Sequence, residues 1–179
     1  MNDLEDLLRR IRVCPAGKAG WREFEEACTE LLTRLFVPPL QPPRIQARSL
    51  SGIDRRDAVF SNRELNSDSR WGQLRHELAA RMILVEFKNY GSEEIGKDEV
   101  DQAQNYLTEP MGRLAILCCN KTPHDSAFIR RNSIYSREKK VILFLTPNDL
   151  QKMCFIKERD DDPADEIVDL VETFYLQHE

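Results

Sequence analysis

The sequence predicts an α/β domain with a mixed central β-sheet flanked by helices. Three observations lead there. Apolar runs at 82–85, 114–119 and 141–145 have the length and β-branched character of buried strands. Amphipathic segments at helical spacing precede, separate and follow them. Two alternating segments, 44–50 and 57–61, lie upstream and read as a meander. The order is then helix, meander, strand–helix–strand–helix. Its parallel strands need right-handed crossovers, which put helices on both faces.

Each element has its own signal. Leu4, Leu7, Leu8 and Ile11 recur at helical spacing, and Cys14-Pro15-Ala16-Gly17 ends that helix. Trp21, Phe24, Ala27, Cys28, Leu31, Leu32 and Leu35 mark a second helix over 20–36. Pro38-Pro39 and Pro42-Pro43 force an extended connection. Ser51-Gly52 reads as the turn of the meander. Residues 62–70 are polar and loop-like, and 71–80 are weakly helical. Met82–Lys88 is a strand that turns charged at its end. A helix follows over 97–107, with Val100, Ala103 and Leu107 inward. Segment 126–139 is basic and reads as helix or loop. Thr146-Pro147-Asn148-Asp149 caps a short helix over 150–155. Asp160-Asp161-Asp162-Pro163 breaks the chain before a last helix over 164–177.

The 179 residues suit one domain, with an N-terminal helical extension over 1–19 and an acidic C-terminal helix over 160–179. Residues 1–140 carry 23 Lys+Arg against 21 Asp+Glu, whereas 141–179 carry 3 against 10. The acidic total therefore sits in the tail, and a nucleic-acid partner for the body is not excluded. No apolar run approaches the ~20 residues of a membrane helix, and the N-terminus is acidic, so the expectation is a cytoplasmic protein without membrane contact. Five cysteines without CxxC spacing and three scattered histidines argue against disulfides and zinc.

The chemistry concentrates at Glu86 and Lys88. Residues two apart on a strand share a face, so both side chains project together from the end of an apolar strand. Two charges there need a water-filled or catalytic setting; the plainer alternative is an exposed cross-strand ion pair. Asp57 precedes Ala58-Val59-Phe60, and on a neighbouring strand it would converge with Glu86 on one hard cation. Mg²⁺ prefers oxygen and keeps several waters, so two carboxylates and a main-chain carbonyl, that of Phe87, suffice. Asp57 is otherwise a turn residue pairing with Arg55 or Arg56. Glu25 lies beside the apolar stripe of its helix and either enters the site or faces solvent. Gln102 and Tyr106, four apart, share a helix face, where Gln102 would orient a water or touch phosphate and Tyr106 is equally a core residue.

The ordered set is Phe24-Glu25, then Arg55-Arg56-Asp57, then Ile83-Leu84-Val85-Glu86-Phe87-Lys88-Asn89-Tyr90, then Val100-x-Gln102-x-x-x-Tyr106-Leu107. It resembles the PD-(D/E)xK nuclease superfamily of restriction-endonuclease-like fold, most nearly the small proteins of bacterial defence systems. Similarity to type IV restriction enzymes lies in the Phe24-Glu25 helix. The resemblance covers roughly residues 20–150. It implies a restriction-endonuclease-like core and Mg²⁺- or Mn²⁺-dependent hydrolysis of phosphodiester bonds, with DNA favoured over RNA. Carried over by position, Asp57 and Glu86 become metal ligands, Lys88 the catalytic lysine, Glu25 an accessory acid and Gln102 a helper near the phosphate. Arg56 stands where the motif's proline would be, and Asp54 rivals Asp57. The long stretch from Asp57 to Glu86 carries the excursion 62–80.

Arg55, Arg56, Arg130, Arg131, Arg137, Lys139 and Lys140 are the candidates for holding the nucleic-acid backbone. The five from 130 to 140 read equally as a solvated helix face or a partner for the acidic tail. A chain of this size is expected to rely on a partner protein or on homo-oligomerisation for targeting. The alternative to an active enzyme is a catalytically silent interaction or nucleic-acid-binding subunit of a larger complex.

Overall fold

A computed structural model describes residues 3–49 and 55–178. The first helix is α1 (Asp3–Val13), followed by α2 (Trp21–Phe36). Next come strands β1 (Arg44–Arg48) and β2 (Arg55–Ser61), helix α3 (Arg70–Leu78) and strand β3 (Met82–Lys88). Helix α4 (Lys97–Tyr106), strand β4 (Leu114–Cys119), helix α5 (Asp125–Glu138) and strand β5 (Val141–Leu145) complete the sheet region. The chain closes with α6 (Pro147–Glu158) and α7 (Ala164–Gln177).

The five strands lie in the order β1-β2-β3-β4-β5. The pairs β1/β2 and β2/β3 are antiparallel, while β3/β4 and β4/β5 are parallel. This is the mixed sheet with flanking helices that the sequence predicts. Period-two alternation divides the apolar residues between two faces. Ile83, Val85, Ile116 and Leu143 join a core covered by α1, α2, α3, α6 and α7. Leu84, Ala115, Leu117 and Ile142 join a second core covered by α4 and α5. Parallel strands covered on both faces have no polar side, which is why β4 and β5 are apolar throughout.

Local chemistry sets the boundaries. Segment 126–139 is a helix, closed by Lys139 in the left-handed region at φ 55°. Helix α6 starts earlier than its apolar residues suggest. Pro147 opens it, and the Asp149 carboxylate accepts hydrogen bonds from the Thr146 N–H (2.8 Å) and hydroxyl (2.7 Å). The excursion between β2 and β3 is tied down by buried Asn62, whose Nδ2 donates to the carbonyls of Trp71 and Ala80. The N-terminal segment belongs to the core, with Leu7, Leu8 and Ile11 buried beside α2. All five cysteines are free thiols. Among the described residues, no helix is long and apolar enough to cross a membrane.

Candidate functional site

The β2/β3 ladder runs from Ser61↔Met82 to Ala58↔Val85 and then opens. One step further the carboxylates take over the pairing. The Asp57 N–H donates to Glu86 Oε1 at 3.3 Å, and the Phe87 N–H donates to Asp57 Oδ2 at 3.0 Å. Backbone amides that would otherwise lose their partners thus hold both acids in fixed positions. The Phe87 N–H points toward β2, and along a strand a residue's carbonyl leaves from the same edge as its N–H. On the opposite edge of β3 the Asn120 N–H donates to the Lys88 carbonyl, extending the parallel pairing with β4 through the strand end.

Glu86 is 2% exposed and Lys88 7%. Lys88 Nζ lies 3.6 Å from Glu86 Oε2 and donates to Gln102 Oε1 at 2.7 Å. Gln102 Nε2 in turn donates to the Tyr106 hydroxyl at 3.1 Å. Helix α4 therefore orients the lysine from one side and Glu86 from the other. Burial, then repulsion from Asp57, pushes the Glu86 carboxyl up to about 7, against the opposing pull of Lys88. Glu25, on α2, is buried rather than solvated. Its carboxyl is also raised, first by burial and then by Asp57, while Arg55 and a hydrogen bond from Gln46 act the other way.

Asn89, next to Lys88, fixes how α2 approaches. Its Nδ2 donates to the carbonyls of Pro15 (2.9 Å) and Gly17 (3.4 Å), joining the loop ahead of α2 to the end of β3. A Cβ on Gly20 would come within 2.0 Å of the Pro15 carbonyl oxygen, so this tight loop admits only glycine there. The role of Asn89 depends on chain segments more than 70 positions apart, which the sequence does not bring together. Trp21, Asn89, Tyr90, Glu93 and Glu99 line a cavity of about 480 Å³ beside the site.

Five predicted residues thus meet at one place: Asp57, Glu86, Lys88, Gln102 and Glu25. Asp54 lies outside the described residues. Among the described residues no group of three or more His, Cys, Asp and Glu is disposed to hold a metal ion. Asp57 and Glu86 stand side by side here, and a cation held between them would meet oxygen.

The basic candidates divide. Arg55 is exposed and within electrostatic reach of Glu25. Arg56 is half-buried, with its guanidinium 5.5 Å from the Tyr106 ring. Arg131 does not belong to a backbone-binding surface. Its guanidinium is buried against the rings of Phe128, Phe144 and Phe174, at 4.8, 4.9 and 5.0 Å, and burial lowers its pKa to about 10. Arg130 is ion-paired with Asp101. Arg137, Lys139 and Lys140 close α5 and lead into β5. Because β5 is parallel to β4 and β3, they stand at the end of the sheet away from Glu86 and Lys88. Lys140 pairs there with Glu138 at 2.7 Å. Two acids of the tail have other partners. Asp165 pairs with Arg70 and Glu166 with Lys152, while Phe174 packs on Tyr135.

No family model matches the chain, and no solved structure matches it. It is similar to the "Putative transposon gamma-delta 80.3 kDa protein" of Escherichia coli (strain K12), with 29% identity over 103 residues. The match takes in 58% of this chain and 14% of that protein, so the similarity reaches only a small part of a much longer polypeptide.

Proposed function

We propose that the chain is a Mg²⁺- or Mn²⁺-dependent nuclease of the PD-(D/E)xK kind that hydrolyses phosphodiester bonds, with DNA as the favoured substrate. The observation that carries this reading is the Lys88 ammonium held between Glu86 and Gln102 beside an interleaved Asp57–Glu86 pair. A buried and a partly buried acid held against each other, with Lys88 beside Glu86, suit a hard divalent cation. Asp57, Glu86 and the Phe87 carbonyl would hold it. Such an ion supplies a water of lowered pKa and offsets phosphate charge.

The chain's own groups do the rest. Lys88 places a positive charge where the attacking oxygen and the crowded phosphate gain negative charge. Gln102 fixes the direction of that ammonium, and Tyr106 fixes Gln102. Glu25 adds a third acid at the rim. The E. coli relative is named for a transposon, a DNA element, which supports DNA as the substrate.

The deciding experiment is cleavage of plasmid and of single-stranded DNA and RNA with Mg²⁺, Mn²⁺, Ca²⁺ or EDTA. Wild type is expected to cut with Mg²⁺ or Mn²⁺ alone. Asp57→Ala, Glu86→Ala and Lys88→Ala should each lose about a hundredfold or more in rate while remaining folded. Cutting in EDTA, or a Glu86→Ala variant as fast as wild type, refutes the reading.

A second reading is a silent nucleic-acid-binding or interaction module within a larger assembly. The 14% coverage of the E. coli protein favours it, since the similar region there accompanies a great deal of other chain. Tight binding of nucleic acid without cleavage under every metal condition would select this reading.

A further inference from the structure

Strand β1 is the sheet edge, and only Ala47 of its five residues is partly covered. The β1/β2 register sets Arg48 directly opposite Arg55. Opposed residues of an antiparallel pair share a face, with Cβ atoms about 4.5–5.5 Å apart, and like charges in that position repel. Among the described residues neither guanidinium has a carboxylate ion pair, while Arg55 acts electrostatically on Glu25. Elsewhere Arg34, Arg70 and Arg130 each have a carboxylate partner. The pair also has a defined place. Arg55 precedes Asp57 by two residues, about 7 Å along the strand. It therefore stands beside the acids rather than at the far end of the sheet, where Lys139 and Lys140 are found.

We infer that Arg48 and Arg55 form a clamp for a single backbone phosphate adjacent to the one at the carboxylates. The inference rests on the nucleic-acid substrate proposed above and assigns part of its grip to Arg48. Two guanidinium forks rooted about 5 Å apart converge on one phosphate, because each fork matches a pair of its oxygens. A phosphate between them also removes the repulsion that the free pair carries. Charges on an edge strand have another use, which is to keep the edge from pairing with a second chain. Exposed Arg44 on the same strand already meets that need, so it does not account for two opposed arginines.

The test compares wild type with R48Q, R55Q and R48Q/R55Q, binding fluorescein-labelled duplexes of two unrelated sequences in EDTA across a salt series. Each single change is expected to weaken binding about equally on both sequences. The double variant should lose less than the sum of the two single losses, because the two side chains share one phosphate. The slope of log affinity against log salt should fall by about 0.9, one duplex phosphate. Melting temperatures should hold or rise. Additive losses with twice that change in slope would mean two separate contacts and overturn the shared clamp. Unchanged binding with new self-association would assign the pair to edge protection and also overturn it. Failure of wild type to bind would do the same. Mg²⁺-dependent cleavage assayed in parallel separates the two claims. Cleaving wild type with unaltered variant binding removes only the clamp, whereas the expected binding losses without any cleavage keep the clamp and remove the nuclease.

Discussion

Strands β3 and β4 run parallel and in register, with Glu86 beside Leu117 and Lys88 beside Cys119. All four residues are buried, at 2%, 0%, 7% and 1% exposure respectively. Depth does not distinguish the two strands; chemistry does. Strand β4 is the stable solution for that depth, six apolar residues with nothing to desolvate. Strand β3 places a carboxylate and an ammonium at the same level, where the desolvation of two ions offsets much or all of their attraction. The difference teaches that the end of β3 is not optimised for stability. Its charges are held by Asp57, Gln102 and the Asn120 pairing, an investment that makes sense for a site and not for a core.

The comparison can be broken most severely from the β4 side. Leu117→Glu would set a second buried acid beside Glu86 with no cation to share, and about 4 kcal/mol or more of stability should be lost in urea unfolding. The reverse change sharpens it. Glu86→Leu with Lys88→Met makes β3 resemble β4; that variant should bind no divalent ion and cleave nothing, yet gain about 1–4 kcal/mol. Unaltered or lower stability would mean the ion pair contributes to the fold after all.

A pH series isolates the carboxyl. The Glu86 group is raised from 4.5 to about 7 in the folded protein. Between those values the native state holds more protons than the unfolded chain, so stability falls as pH rises from about 4.5 to about 7. Glu86→Gln lacks that loss. In EDTA its stability relative to wild type should improve by about 1–3 kcal/mol from pH 5 to pH 8, read from thermal melts. The smallest effect belongs to the basic segment on α5. Arg137→Gln with Lys139→Gln should change stability by less than about 0.5 kcal/mol and leave duplex affinity within about twofold, since both stand away from the carboxylates.

Sequence alone determined the sheet and most of the constellation. Patterns of period two and 3.6 fix strands and helices because each element must bury one stripe or face, and that requirement is local. Glu86-x-Lys88 was legible because a strand sets residues two apart on one face, and Gln102 with Tyr106 because a helix does so at four. What only the tertiary structure decided is which distant groups meet. Arg131 reads as one of five exposed cations, yet three aromatic rings from α5, β5 and α7 enclose it. Glu25 could have faced solvent, yet it is buried, on a helix whose preceding Pro15–Gly17 loop is joined by Asn89 to the end of β3. Arg48 carries no motif, and its place opposite Arg55 comes from strand register. Charge and periodicity are properties of a segment. Register, packing and the direction of a parallel strand are properties of pairs of segments, and a single segment read by itself holds no record of its partner.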